Sequence, residues 1–351
     1  MAEQSALLAC GCYRFRSVSH LWRPQLVKPV RLAIVGATGL VGRTTLDVLA
    51  EWQIPLRALR LFASDESAGR MMTWNGRSYA LEPLASVPLD VDAAILATSR
   101  KISQQWAPRF REAGVIVIDH SSAFRMDTDV PLIIPEVNGR ALNGHTNLIA
   151  NPNCSASVVV LPLAALNREF QLRAIVVDTY QSVSGSGQDA VAELDAQLAD
   201  SQSPAKIYPR PIAHNVFPQV GPFDVRGLCD EEQKVVDELR KILECPQLSI
   251  FTTTVRVPVR VGHSAAVTVE CMKAVSRADV ETAFRNMPGM IYEADTYKTP
   301  REIAGKQEVF VSRLRVNESD PRWLQFWAVG DNLRKGAASN AVQILMELFR
   351  D

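Results

Sequence analysis

The residues best suited to chemistry are one cysteine and the groups that could activate it. In NPNCSAS, Asn151 to Ser157, Cys154 follows two amides and a proline and precedes an apolar run that begins at Val158. Asn153 is a good helix N-cap. If SASVVVLPLAAL is a buried helix, Cys154 lies in its first turn, where the helix dipole favours thiolate over thiol. A buried strand is the competing reading, on account of Val158 to Val160 and of Pro162, which lies beyond a first helical turn. Cysteine is also among the most buried residue types, so alone it reads more readily as an inert core group.

A thiolate nucleophile needs an acid/base partner and groups that hold anions. RVPVRVGHS offers both in Arg256 and His263. Seven positions apart, they would point to opposite faces of an unbroken strand, so they share a site only if Gly262 bends the chain. Taken singly, each is more often a surface or satisfied core group. DEEQKVVDELRKILEC reads as a helix with Asp230 as its cap and Val235, Leu239 and Ile242 turned inward. Glu231 and Lys234 in its first turns read as a solvated i, i+3 pair of little energetic worth.

A second constellation is GATGLVG, where Gly36, Gly39 and Gly42 lie between a predicted strand, VRLAIVG, and a predicted helix. Glycines there let the backbone turn sharply and approach a pyrophosphate, which the helix start attracts, so a nucleotide site is expected; a turn that only packs helix on strand is the alternative. The next strand ends in LFASDESAG. Its Asp65 and Glu66, about 24 residues beyond Gly42, stand where an acid binds the ribose 2′-hydroxyl, which favours NAD over NADP. Ser64, Ser67 and Arg70 could still meet a phosphate, and a solvated loop is the plain alternative.

These groups need a scaffold. RALRLFAS, VDAAILAT and VIVIDHSS read as buried strands and ISQQWAPRFREAG as a helix ending at Gly114, a β-α-β rhythm that predicts a doubly wound parallel sheet. After Cys154 the rhythm changes. AIVVDTYQSVS, IFTTTVRVPVRV and SAAVTVECM lie close together and read as antiparallel or mixed strands of a second, α+β domain. GAASNAVQILMELF spaces Ala341, Ile344, Leu345 and Leu348 along one helical face that could return to the first domain.

Composition narrows the function. With 47% apolar residues and 38 basic against 38 acidic side chains, the chain can build large cores and carries no net field toward nucleic acid or an anionic membrane. A small-molecule partner is expected. The six cysteines show no disulfide or zinc spacing and the five histidines no metal motif, so no metal and a reducing, cytoplasmic location are expected. No apolar stretch approaches the ~18–20 residues that span a bilayer. Residues 1–28, with Arg14, Arg16 and Arg23 against Glu3 alone, read as a disordered extension, with an organellar transit peptide as the alternative.

The motifs VGATGLVG, ASDESAG, DHSSAFR, VPLIIPEVN, ANPNCS, TYQSVSGSG, EEQKVVDELRKIL, RVPVRVGHS and VGDNLRKGAASNAVQI occur in this order from Val30 to the C-terminus. In this the sequence resembles the aspartate-β-semialdehyde dehydrogenase family. The resemblance implies a Rossmann-like dinucleotide-binding domain over 29–153, a catalytic and dimerisation domain over 154–330, and a helix within 331–351 returning to the first. It implies NADPH-dependent reduction of L-aspartyl-4-phosphate to the semialdehyde and phosphate, in lysine, methionine and threonine biosynthesis, by a homodimer. Cys154 matches the family's nucleophile and His263 its acid/base residue. Gln181 and Arg256 match substrate-binding positions, Arg125 and Lys234 phosphate-binding positions, and Glu231 the contact to the substrate ammonium. Gly36, Thr38, Gly39, Leu40, Val41, Ser184, Gly185 and Asn332 match cofactor contacts, with Glu66 and Ser67 near the ribose. Glu66 stands where relatives often carry an arginine for the 2′-phosphate, so NAD remains beside NADP.

Two rivals remain. N-acetyl-γ-glutamyl-phosphate reductase shares the chemistry, but glycine and tyrosine are expected around its cysteine, where this chain has Asn153 and Ser155. A nucleotide-binding paralogue without turnover would be marked by a lost nucleophile, and Cys154 is present. A short-chain reductase also begins GATGxxG, but no tyrosine here has a lysine four positions on.

Overall fold

The computed structural model describes residues 27–86 and 90–350. Residues 1–26 of the expected extension, with Cys10, Cys12 and the three arginines, lie outside the described residues; Val27 and Lys28 depart from that expectation, Val27 being buried in a bridge with Arg350 and Lys28 N donating to Phe349 O (2.8 Å). The first domain comprises β1 (Val30–Val35), α1 (Leu40–Glu51), β2 (Leu56–Ala63), β3 (Met71–Trp74), β4 (Arg77–Pro83), β5 (Ala93–Leu96), α2 (Arg100–Glu112), β6 (Ile116–Asp119), α3 (Pro135–Asn138) and β7 (Leu148–Ala150). Its sheet runs β3-β4-β2-β1-β5-β6-β7, and every neighbouring pair is parallel except β3–β4. The order reverses at β1, so the glycine turn after Val35 sits at the switch point where doubly wound sheets bind ligands.

β1 is buried on both faces because its residues alternate between two cores. Ala33 and Val35 pack with Phe62, Leu96 and Val159, whereas Leu32 and Ile34 pack with Leu46, Leu49, Ala341 and Ile344. A period-2 strand between two helical layers requires this run of apolar residues.

One reading of this domain is corrected. RALRLFAS is not buried throughout: Arg57 and Ala58 are exposed, and only Leu61 to Ala63 are buried. The hairpin β3–β4 carries no expectation, since β3 is a four-residue edge strand and only Met72, Trp74, Tyr79 and Leu81 of the two strands turn to the core. Its signal is Asn75-Gly76, both with positive φ (+46° and +73°), the pair that a two-residue hairpin turn prefers.

The rest of the chain forms α4 (Cys154–Phe170), β8 (Leu172–Gln181), α5 (Gln188–Ala199), α6 (Asp230–Ile242), β9 (Ser249–Arg256), β10 (His263–Cys271), α7 (Arg277–Asn286), β11 (Met290–Glu293), α8 (Pro300–Ile303), β12 (Val309–Val316), β13 (Trp323–Gly330) and α9 (Ser339–Leu348). The second sheet runs β11-β12-β13-β10-β8-β9. Pairs β8–β9 and β11–β12 are parallel and the others antiparallel. Ala265, Val267 and Val269 of β10 turn to the core that α4 fills, and α4 is buried from Ser155 to Leu166.

IFTTTVRVPVRV is not one strand. β9 stops at Arg256, and Pro258, which has no N–H, cannot extend a ladder. The helix α9 packs into the core beside β1 and is buried all round from Ser339 to Met346 rather than along one face.

Candidate functional site

SASVVVLPLAAL is helical, and the competing strand is excluded. Asn153 caps α4: its side-chain oxygen accepts from the N–H groups of Ser155 (2.7 Å) and Ala156 (3.3 Å). This places half-buried Cys154 as the first residue of the helix. Strand pairing delivers the residues opposite. β8 lies between β9 and β10, with Gln181 in register with Arg256 and Tyr180 with Ser264. The ends of β8 and β9 and the start of β10 therefore share one edge. Gly262, at φ +99°, turns the chain so that His263 begins β10 there, the bend that the spacing required.

Cys154 Sγ lies 3.1 Å from His263 Nε2. The backbone N–H of Ser182 donates to His263 Nδ1 (3.1 Å). Because a backbone amide can only donate, Nδ1 is an acceptor and the proton of the neutral ring sits on Nε2, facing the sulfur. Burial, aided by Arg256, pushes His263 down to about 3, so the ring is uncharged at neutral pH.

The thiol departs from expectation. Burial first, and then the charge of Glu231, push Cys154 up to about 12, while Arg256, Arg125 and Ser155 act in the opposite sense. The helix start does not prevail over desolvation, and the resting sulfur is a thiol.

Cys154 opens into a cavity of about 420 Å³, lined among others by Val41, Arg125, Gln181, Ser184, Gly185, Glu231, Lys234, Arg256 and Asn332. Arg256 is 4% exposed, and its Nη1 donates to Ser182 O (2.5 Å). Asn332 Oδ1 accepts from Ser182 Oγ, Ser184 Oγ and Gly262 N, joining the turn after β8 to the bend before β10. A Cβ on Gly185 would lie 3.0 Å from Arg256 Nη1, and one on Gly336 would lie 3.0 Å from Cys154 Cβ.

On α6 two readings are corrected. Cys229 is the N-cap and Asp230 the first helical residue; the Glu232 carboxylate accepts from Cys229 N. Glu231 is not solvated. It is buried and accepts from Asn153 Nδ2 (2.9 Å), while Lys234 pairs with Asp230 more closely than with Glu231 (3.9 Å).

Sequence reasoning passed over two residues. Glu238 is buried and bonded to both Arg125 and Asn153 N. His120, beside the cavity, has a buried Nε2 without a hydrogen-bond partner; burial and Arg125 push it down to about 3. Helical phase marks Glu238 as a neighbour of Glu231, whereas nothing in DHSSAFR distinguishes His120.

The glycine turn suits a dinucleotide. The start of α1 has no side-chain cap and no acid in its first turn, leaving N–H donors for an anion. A Cβ on Gly36 would lie 2.3 Å from Ala97 O and one on Gly42 2.2 Å from Gly36 O, whereas one on Gly39 would make only an ordinary contact with Gly36 O at 3.5 Å. Val41 of α1 lines the cavity that holds Cys154, so the two sites are continuous. Glu66 and Ser67 lie outside that cavity in the turn after β2, with Glu66 exposed. That turn adjoins the glycine turn, since Gly36 N and Ala37 N both donate to Phe62 O.

A glycine turn opening into a cavity that a second, mixed-sheet domain completes is the build of a two-domain dehydrogenase. Residues 31–145 match the family model for the semialdehyde dehydrogenase NAD-binding domain, and residues 163–335 that for its dimerisation domain. The aspartate-semialdehyde dehydrogenase of Aquifex aeolicus is 39% identical, over 92% of this chain and 98% of its own; that of Synechocystis is 38% identical, over 90% and 96%. The crystal structure of aspartate semialdehyde dehydrogenase II from Vibrio cholerae complexed with ASA superimposes with a TM-score of 0.88 at 37% identity, over 92% of this chain and 99% of that one. The chain belongs to the aspartate-semialdehyde dehydrogenase family and is an oxidoreductase of that family.

Proposed function

We propose that the protein reduces L-aspartyl-4-phosphate to L-aspartate-4-semialdehyde and phosphate through a thioester on Cys154, in the cytoplasm, within lysine, methionine and threonine biosynthesis. The observation that carries the reading is the 3.1 Å contact between Cys154 Sγ and His263 Nε2 at the mouth of a cavity flanked by Arg125, Lys234, Arg256 and Glu231. Arg256, a planar fork, suits the substrate α-carboxylate, with Gln181 beside it. Glu231 suits the ammonium, and Arg125 with Lys234 suits the phosphate.

The Cys154 thiol passes its proton to the departing phosphate as its sulfur attacks the acyl carbon, and the C–O bond to phosphate breaks while Arg125 and Lys234 hold the departing charge. Gly36, Thr38, Gly39, Leu40, Val41, Ser184, Gly185 and Asn332 would hold a reduced nicotinamide, which would supply the hydride for reduction of the thioester. The Nε2–H of His263 donates a hydrogen bond to the oxyanion formed at the former thioester carbon, and collapse of that oxyanion breaks the C–S bond, freeing the aldehyde and leaving a Cys154 thiolate that takes a proton from solvent. Ser182 N–H keeps the His263 proton on the nitrogen that faces the reacting atoms.

The cofactor is NADP, with Glu66 limiting the preference over NAD. The Candida albicans enzyme crystallised with NADP shares the fold at 20% identity. The active unit is a homodimer, formed through the dimerisation domain.

The reading is tested by following reduced-nicotinamide absorbance with aspartate semialdehyde, phosphate and either cofactor. Cys154→Ala is expected to lower the rate at least about 10⁴-fold, and Glu66→Arg to lower KM for NADP. Equal rates from Cys154→Ala and the unaltered protein would remove the mechanism, and an unchanged KM in Glu66→Arg would remove the ribose assignment.

A further inference from the structure

Four residues of α6, Glu231, Lys234, Glu238 and Lys241, follow one another at spacings of 3, 4 and 3, so they form one stripe of the helix. Glu231 and Lys234 line the cavity, and Glu238 does not. Glu238 is instead buried behind it, 1% exposed, with each carboxylate oxygen committed. Oε1 accepts from Arg125 Nη1 at 2.9 Å, and Oε2 accepts from the backbone N–H of Asn153 at 2.6 Å.

These two partners come from different parts of the chain. Arg125 sits in the loop after β6, and Asn153 caps the helix that begins with Cys154. Lys241 grips the same loop from the backbone side, donating to the carbonyls of Arg125, Asp127 and Val130 at 2.7, 2.7 and 2.9 Å. Arg125 gives its remaining fixed contacts to Asn151 O and His120 O. A guanidinium has five N–H groups, so Arg125 is clamped on three sides while others stay free toward the cavity.

We propose that Glu238 is a positioning residue: its single carboxylate sets the distance between the phosphate-binding guanidinium and the end of the helix that carries the nucleophile. The inference rests on the phosphorylating reaction proposed above. A charge buried only to stabilise the fold has no need to bridge two groups that both face the ligand. Glutamine in its place keeps the size but offers one acceptor oxygen and one donor, so it cannot serve both N–H partners.

The test avoids turnover. Inorganic phosphate should protect Cys154 from alkylation by iodoacetamide, and the half-protecting concentration reports phosphate affinity. In Glu238→Gln that concentration should rise about 10- to 100-fold, the range for outer partners of binding groups, while NADP affinity, measured by fluorescence quenching, changes less than about twofold because the glycine turn is untouched. Glu238→Asp, which keeps the charge but falls short of one partner, should weaken phosphate too, and it carries the test if thermal unfolding shows that Glu238→Gln does not fold. Combined with Arg125→Lys, Glu238→Gln should add little further loss, since both act through one guanidinium. An unchanged half-protecting concentration, or equal losses of phosphate and NADP affinity, overturns the positioning role. Failure of phosphate to protect the unaltered protein overturns the phosphate site itself and the positioning role with it, an outcome visible without any substitution.

Discussion

Among single residues the largest conflict is between Cys154 and Glu231. The carboxylate is the only neighbouring charge that raises the thiol, and burial does the rest. If Glu231 receives the substrate ammonium, binding cancels that charge, and the thiol moves toward its anion when the electrophile is in place. Glu231→Gln therefore has two opposite expected effects. Removing the carboxylate lowers the pKa of Cys154, so alkylation by iodoacetamide at a fixed pH below the midpoint should become roughly tenfold faster, while KM for aspartate semialdehyde rises. Glutamine retains the acceptor that Asn153 Nδ2 uses, which keeps the cap in place. Alkylation no faster than in the unaltered protein would show that Glu231 does not govern the thiol. Cys154, His263 and Arg256 were legible by type, but their meeting was not, because it depends on Gly262 and on β8 lying between β9 and β10. The sign of the thiol's shift was illegible for the same reason: burial is set by elements far off in sequence.

Among elements, the strand–turn–helix at residues 30–51 could be read directly, since a strand apolar at every position but Arg31, three glycines and a helical repeat agree locally. The β3–β4 hairpin was missed because its alternation is only two residues long on each strand, Met72 and Trp74 then Tyr79 and Leu81, with Asn75-Gly76 marking the turn. Likewise IFTTTVRVPVRV continues in composition beyond Arg256, but the sheet ends there. The three glycines have separable tasks, which mutation can distinguish. In Gly42→Ala the new Cβ would fall 2.2 Å from Gly36 O and 2.8 Å from Ala37 Cα, backbone atoms that cannot yield cheaply. A loss of about 1–3 kcal/mol in stability is expected, the range for overpacking, read as a lower unfolding midpoint in denaturant. Gly39→Ala meets only Gly36 O, at 3.5 Å, so its stability should stay within about 0.5 kcal/mol while NADP affinity falls where the pyrophosphate must approach. If Gly39→Ala bound cofactor normally, the open space at that turn would have no ligand to explain it.

For the whole molecule, the second sheet is covered by α4 on one face, and on the other Ile303 of α8 covers Phe310, Val329 and Trp327 while Tyr180 and Phe251 stay exposed. Ile175, Val177, Val267 and Val269 turn to the core under α4, whereas Val176, Tyr180, Phe251, Ala266 and Trp327 turn away from it. Phe251 is 66% exposed and Tyr180, which stacks near Trp327 at 5.6 Å, is 37% exposed. A sheet face with this much apolar surface needs a cover, and a second copy fits because a two-fold axis lets the same face meet itself. Residues 163–335, which match the model for a dimerisation domain, include this sheet. Phe251→Glu would place one carboxylate on each side of that axis. With like charges costing several kcal/mol when buried across an interface, and about 1.4 kcal/mol for each tenfold in affinity, the dissociation constant should rise at least roughly 100-fold. Sedimentation of the variant at micromolar concentration should then show monomers where the unaltered protein shows dimers. Phe251 pairs with Val176 and lies on the strand that ends in Arg256, five residues from the site, so the protein should keep its fold and its alkylatable Cys154. A dimer that persists with the charge in place would move the interface elsewhere and leave the exposed part of this face without a partner.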